Sequence, residues 1–514
     1  MLSSLRLLGH RRGTFVRVMN ARVECAASRI GHCRKGRGVR FLHAQPITHS
    51  LYSWGYGVFG GLGHGSYEHS HLPKRVDALE SHSIEKIACG WTTNLALTDS
   101  GSIYEWGWEK NIVSLVATGK RFAQMRNFVE RVQKMNLGWM TYNCGQATPL
   151  KIEKFRQLNR DGTYDEVEAD KVRIVHIDVG AEFCAAISQD GRVFTWGSGI
   201  RGQLGHGPDI IKSNLAVPTE VTLKGRKRRH KKKAKGVACG FQYLMILDED
   251  GDIWACGKGS TGCLGMGFLQ TASDRRHFYP ANIRDSNVAH MMSSTLKDSP
   301  FEFMPAVAQV SAGMNHTLFL AEDFSLWACG RNNNLELGLP DFKDRWVPSR
   351  IDIRTIVNKF AKNDNQKMKE DEHIVSISAG NVHSAALLNT GRVLTWGMNR
   401  HGQCGVGHEK AILNRSSHLY ENLAKTAFAT PPSILPLENW PASETSKIVA
   451  GFYDTFLISK EGDVLRVGMG MRNPQDYNQF TNSNPENIDQ EASGHKIEQV
   501  SIGWKHVLAV VKEQ

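Results

Sequence analysis

One spacing constrains this chain more than any other feature: a glycine at the end of a short β-prone run stands 17 residues before a second glycine, six times over. The pairs are Gly90 and Gly107, Gly180 and Gly197, Gly240 and Gly257, Gly313 and Gly330, Gly380 and Gly397, and Gly451 and Gly468. Runs such as IEKIACG, IVHIDVG and IVSISAG lead into the first glycine; a strand, a polar turn such as DSG and a strand ending in Trp-Gly or a relative follow. A fixed period of this kind marks a supersecondary unit that cannot bury its apolar face alone, so neighbouring units must stack. Two half-units remain. Trp54-Gly55 opens the array without a preceding partner, and Ile502-Gly503 with WKHVLAVV ends it without a following one. Joined, they form a seventh unit that leaves no free sheet edge. The predicted fold is all-β, a seven-bladed β-propeller over 51–511 with terminal strands closing one blade, plus partly helical loop insertions. From the second glycine of one unit to the first of the next, the distance varies from 35 to 73 residues, so length variation is confined to one kind of connection.

Charge is distributed unevenly. The net charge is +12, but residues 1–50 carry ten Arg and Lys against one acid, Glu24, and Lys224 to Lys235 holds nine cations and no acid. The remainder is therefore mildly acidic, at −6, with two basic appendages. Residues 1–45 are Arg-rich, contain Ser and are almost free of acids, the composition of a mitochondrial presequence. Leu2, Leu5, Leu7, Leu8, Phe15, Val16 and Met19 are interrupted by Arg6, Arg11, Arg12 and Arg17. No uninterrupted run approaches the ~18 apolar residues of a membrane span, here or later. A mitochondrial location, in the matrix, is expected, and reduced cysteines fit it.

Three segments carry a family resemblance: FTWGSGIRGQLGHG at 194–207, LTWGMNRHGQCGVGH at 394–408 and ISAGNVHSAALLNTGRVLTWG at 377–397 resemble regulator of chromosome condensation repeats. The pattern is degraded where Cys256, Cys329 and Val467 stand in place of Trp. The resemblance implies a seven-bladed propeller whose exposed loops bind partners, and with the presequence it points to mitochondrial members of the family.

Motifs that suggest chemistry have structural explanations. The pattern G-x-G-x-x-G occurs at Gly55, Gly57 and Gly60, at Gly197, Gly199 and Gly202, and at Gly257, Gly259 and Gly262. Each copy runs into L-G rather than opening a helix, so the glycines are expected to serve tight turns and no nucleotide cofactor is expected. His316, His383 and His506 recur three residues after the first glycine, where other units have Thr93, Phe183, Tyr243 and Asp454; hydrogen bonding to neighbouring backbone is the expected role, not a metal ring. No C-x-x-C pair occurs, and Cys89, Cys184, Cys239, Cys256 and Cys329 fall on repeat strands as small buried residues. No metal site, catalytic centre or enzymatic activity is expected.

Function is sought in the insertions, since propeller loops carry it. Residues 108–171 form a partly helical insertion, with Phe122, Met125, Phe128, Val129, Val132 and Met135 near helical spacing. The segments Phe268 to Pro305, Asp341 to Glu372 and His408 to Ser446 read as loops. The basic loop at 223–235 supplies the candidate polyanion-binding residues Lys224, Arg226, Lys227, Arg228, Arg229, Lys231, Lys232, Lys233 and Lys235. Such a cluster attracts phosphate backbones with little sequence discrimination, and no aromatic is interleaved to stack on bases. The expected function is a non-catalytic mitochondrial scaffold binding protein or RNA partners, most of all ribosomal RNA or ribosomal proteins during assembly of the mitochondrial ribosome or another large complex. The family resemblance suggests an alternative, guanine-nucleotide exchange on a mitochondrial GTPase, although no segment aligns with an exchange wedge.

Overall fold

Seven antiparallel sheets stand around a common axis in the computed structural model, which describes residues 49–107, 145–159, 161–207, 214–223, 232–267, 276–283, 304–406, 429–437, 440, 445–468 and 496–513. The propeller lies within the unit Ile47–Gln514; the presequence-like residues 1–45 lie outside the described residues. Numbering the blades along the chain, the innermost strands are Ile84–Cys89, Ile174–Val179, Ala234–Cys239, Val307–Ala312, Ile374–Ala379, Thr445–Ala450 and Lys496–Ile502. Each ends at the first glycine of its repeat. The second strands, Thr93–Thr98, Phe183–Ser188, Tyr243–Asp248, His316–Ala321, His383–Leu388, Asp454–Ser459 and His506–Lys512, are buried along almost their whole length. A third strand runs back in each blade to end at or beside the second glycine, whose φ lies between 100° and 123° in the six complete repeats, a region open to residues without a Cβ.

The termini close the ring as predicted. His49–Gly55 pairs antiparallel with His506–Lys512 in seven consecutive steps, from His49 opposite Lys512 to Gly55 opposite His506. The last blade thus joins two strands from each end of the array, and closure removes the exposed ladder that would otherwise recruit other chains.

The connections differ from the sequence reading. What appears in sequence as one variable connection is two wherever a fourth strand is described, the two emerging on opposite faces; the sheet of Thr445–Ala450 has three strands among the described residues. The insertion at 108–171 shows the reason: 108–144 lies outside the described residues, Gln146–Lys151 is the fourth strand of the first blade, and Lys154–Leu158 with Tyr164–Glu168 forms a hairpin. That hairpin joins the second blade through a parallel contact of Arg156 with Thr219, making a six-stranded sheet. The segments read as loops also hold fourth strands, Arg276–Asn282, Arg345–Ile351 and Ala429–Ile434. A helix, Ile353–Phe360, follows the second of these, with Asp352 accepting from the Thr355 amide at 3.2 Å and Ile353, Ile356 and Val357 buried. Ile353, Ile356, Val357 and Phe360 do stand at helical spacing, but only over two turns, too short a run to stand out against the polar surroundings.

The first glycines are required by packing rather than by φ. A Cβ on Gly313 would lie 2.4 Å from His316 Cε1 and 2.5 Å from the Gly380 carbonyl oxygen, and one on Gly380 would lie 2.5 Å from the Gly451 oxygen. These two glycines leave room for the ring three residues on and for the next blade, whereas Gly90 and Gly451, without such a ring, leave room for Val179 and Ile502 of the next blade. Gly313→Ala is therefore expected to destabilise the fold by about 1–3 kcal/mol, as overpacking does, read as a lower urea midpoint at unchanged slope; an unaltered midpoint would show that the ring contact is not needed.

Candidate functional site

The blade junctions show what the periodic polar residues do. The carbonyl of Gly61 receives Asn94 Nδ2 (3.0 Å) and Trp106 Nε1 (3.0 Å) from the next blade, and Asn94 Oδ1 accepts from His506 Nε2 at 2.6 Å. The carbonyl of Glu336 likewise receives Ser384 Oγ and Trp396 Nε1, both at 2.8 Å, while His316 Nε2 lies 3.0 Å from Ser384 Oγ. Thr455 Oγ1 donates to the Gln403 carbonyl (2.8 Å) and lies 3.0 Å from His383 Nε2. Because the hydroxyls of Ser384 and Thr455 use their protons on carbonyls, the two imidazoles must donate through Nε2. Where Cys256 and Cys329 replace Trp, the thiols point at the equivalent carbonyls, Gln203 at 3.6 Å and Cys263 at 3.4 Å. Burial pushes both thiols above their ordinary range, which keeps the proton available. The histidines therefore serve structure as expected, but their partners are side chains of the following blade rather than nearby backbone.

A central channel of about 900 Å³ runs between the innermost strands. Its polar lining is largely engaged in tying blades together. Gln499 exchanges two bonds with the backbone of Ile87 (3.3 and 3.2 Å), Lys86 Nζ donates to the Val175 carbonyl (2.6 Å), and Gln309 pairs with both backbone groups of Ile377 (3.1 and 3.0 Å). Asp178 accepts from the amides of Cys239 (2.6 Å) and Val179 (2.9 Å); burial still pushes its carboxyl up to about 6.

The channel opens on two different faces. On the first, each turn after the first glycine meets the start of the loop leaving the third strand, as when Ser198 N donates to the Glu182 carbonyl and Arg331 N to Asn315. Aromatics gather there: Trp91 lies 5.1 Å from Phe241 and 5.7 Å from Trp504, and Lys505 Nζ sits 4.7 Å over the Trp504 ring. On the second, the turn between the second and third strands bonds to the residue before each innermost strand: Asp99 N to Ser83, Gln189 N to Arg173, Glu249 N to Lys233, Glu322 N to Ala306 and Asn389 N to His373.

The described end of the basic segment, Lys232 to Lys235, meets this second, turn face. Lys224, Arg226, Lys227, Arg228, Arg229 and Lys231 lie outside the described residues. Lys232 faces Asp250 and lies 3.8 Å from Asp248, and its hydrogen bond with Asp250 raises its pKa. Lys233 is exposed with its carbonyl held by Glu249, and Lys235, on the innermost strand, is exposed in the channel lining. The three described cations thus occupy different settings: Lys232 is committed to a turn, Lys233 is exposed at the start of the innermost strand, and Lys235 is exposed in the channel lining. The G-x-G-x-x-G copies stay in turns, with Gly202 donating to the Gly199 carbonyl (2.9 Å) and Gly262 to Gly259 (3.1 Å). Cys184, Cys239, Cys256 and Cys329 are buried on strands, and Cys89 is half-buried. Among the described residues, no helix is long and apolar enough to cross a membrane.

These features define a closed seven-bladed propeller that presents loops on two faces of a rigid ring. The profile of the RCC1-like domain matches residues 50–509, and the chain belongs to that family. Among curated proteins it is similar to the ultraviolet-B receptor UVR8 of Arabidopsis thaliana, 26% identical over 70% of this chain and 62% of the receptor. It is also similar to the RCC1 domain-containing protein RUG3, mitochondrial, of the same plant, 28% identical over 44% of this chain and 54% of the relative. The chain thus spans less than two thirds of these relatives. Among solved structures it resembles yeast RCC1 (Prp20) in its complex with Kap60, with a TM-score of 0.63 at 18% identity, covering 96% of this chain and 97% of that one. Human WBSCR16 gives a TM-score of 0.58 at 15% identity over 91% and 99%.

The junction histidines set a pH dependence. Burial lowers the pKa of His316 to about 3 and those of His383 and His506 to about 4. The unfolded chain takes up protons near pH 6.5 that the folded state refuses, so these groups stabilise the fold above that pH and their contribution is lost as pH falls toward 4. Melting temperature is expected to drop between pH 6.5 and 4, and His383→Gln should reduce the drop; an equal drop in the variant would contradict the assignment.

Proposed function

We propose that the protein is a non-catalytic mitochondrial scaffold whose turn face engages RNA or protein within a large assembly, the mitochondrial ribosome foremost. The observation that carries this reading is the basic segment: of nine cations in the twelve residues from Lys224 to Lys235, the described end leads into an innermost strand of the ring, with Lys233 exposed at its start and Lys235 exposed in the channel lining. A rigid platform with concentrated positive charge suits a polyanion whose shape matters more than its sequence. The presequence-like composition of residues 1–45 and the similarity to a relative described as mitochondrial support the location. The titratable groups of the channel support a binding role rather than chemistry, since Asp178 and Lys86 are bonded to backbone of adjoining blades.

Co-sedimentation of the protein with mitochondrial ribosomal particles is the test. Replacing Arg226, Lys227, Arg228, Arg229, Lys231, Lys232 and Lys233 by Gln is expected to weaken association about tenfold or more and to flatten its dependence on salt. Association that is unchanged in the variant would remove the role given to the loop.

A further inference from the structure

The residue after the first glycine of each repeat stands at or beside the channel mouth, on the face away from the turns between second and third strands. Surface turns favour small polar residues, glycine and proline. This position instead holds Trp91, Phe241, Met314, Phe452 and Trp504, all half-buried, with Asn381 and Ala181 in the remaining two repeats. Ala181 matters by being small: it is 4% exposed, and across it Trp91 of the first blade reaches Phe241 of the third, at 5.1 Å and tilted by 53°. Trp504 of the last blade meets Trp91 edge-on, at 5.7 Å and 86°. Three rings from three blades thus form a continuous arc in geometries that aromatic pairs prefer. The backbone beneath is tied down. Ala181 N donates to the Phe241 carbonyl at 3.2 Å, Tyr56 N to that of Lys505 at 2.9 Å, and Lys258 N to that of Gln242 at 2.9 Å.

Cations stand at both ends of the arc. Lys505 Nζ lies 4.7 Å over the Trp504 ring and 5.1 Å over Tyr56, within reach of both quadrupoles. At the other end Lys258, held to the residue after Phe241, is half-buried, and burial together with the nearby Arg201 lowers its pKa. Glu182, the acid beside Arg201, has its pKa raised by burial, which favours its neutral form. The result is an apolar centre between two positive ends. An apolar aromatic centre with a charged rim is the anatomy of a protein interface. A second copy of this chain would set these cations against one another in a two-fold contact. An RNA strand needs open ring faces for its bases, whereas these rings pack on each other and Lys505 covers Trp504. An acidic segment with an aromatic side chain satisfies both the centre and the ends.

We propose that the arc of Trp504, Trp91 and Phe241, with Lys505 and Lys258 at its ends, docks an extended acidic segment of a protein partner through an aromatic side chain flanked by carboxylates. The site goes beyond the reading of the turn face. It lies away from Lys232 and Lys233 and shares no residue with them, so either face can fail without the other.

Fluorescence anisotropy of the full chain with the labelled peptide Asp-Glu-Asp-Phe-Glu-Asp-Glu tests it. Binding is expected to weaken as salt rises, and to be about tenfold or more weaker for Trp91→Ala and for Lys258→Gln combined with Lys505→Gln. The same peptide with Ala in place of Phe should bind about tenfold more weakly, and replacing Lys232 and Lys233 by Gln should change nothing. No binding by the parent, equal binding of the Phe and Ala peptides, or parent-like binding by the double-Gln variant would each overturn the proposal. Because that variant leaves the arc intact, a lower melting temperature confined to Trp91→Ala, with parent-like binding by the double-Gln variant, would assign the arc to the fold alone. Single-stranded RNA binding, or a dimer in sedimentation, that is lost in Trp91→Ala would assign the mouth to RNA or to a second copy and overturn the proposal as well.

Discussion

The fold depends on a buried carbonyl at each of four blade junctions. At Gly61, Cys263, Glu336 and Gln403 the carbonyl of a turn in one blade accepts from a polar side chain on the second strand of the next, Asn94, Thr317, Ser384 and Thr455 respectively. That side chain also meets the ring three residues after the first glycine of the earlier blade: His506, Tyr243, His316 or His383. Buried polar groups are tolerable only when satisfied, and a satisfied network in a dry junction fixes one relative placement of the sheets. The glycine before each ring follows from this geometry, since a Cβ there would strike the ring, as at Gly503, where His506 Cε1 would be 2.2 Å away.

A ring fastened in this way has consequences for function. The junctions and the channel lining engage most of the polar groups near the axis, so what remains for partners lies on the two faces. The faces differ in character. One bears half-buried aromatics at the channel mouth, Trp91, Phe241 and Trp504; the other bears Lys232 and Lys233 at the described end of the basic segment, the strained Phe324 turn and the helix Ile353–Phe360. Separating the loops on the two faces by a fourth strand lets each vary in length without disturbing the inner three strands.

Much of the architecture was legible because the glycines that packing requires fall at a constant spacing, and because the half-units at the two ends of the array complement each other. The fourth strands were not legible. Arg345–Ile351 alternates poorly and is only half-buried along most of its length, so no period of two stands out. The candidate site was legible as charge, but its setting was not: only the structure separates Lys232, committed to Asp250, from Lys233 and Lys235. Phe324 left one trace in the sequence, EDF where other repeats have DSG, QDG, EDG, NTG or KEG. The trace gains meaning only when the backbone angle and exposure of that residue are known.

The central claim, that a rigid ring presents its site for RNA on the turn face alone, is tested most directly by hydrogen–deuterium exchange of the protein with and without single-stranded RNA. Protection is expected in peptides covering 224–235, with those covering Trp91, Phe241 and Trp504 unchanged. Protection confined to the aromatic mouth on the other face, with the turn face unaffected, would contradict it.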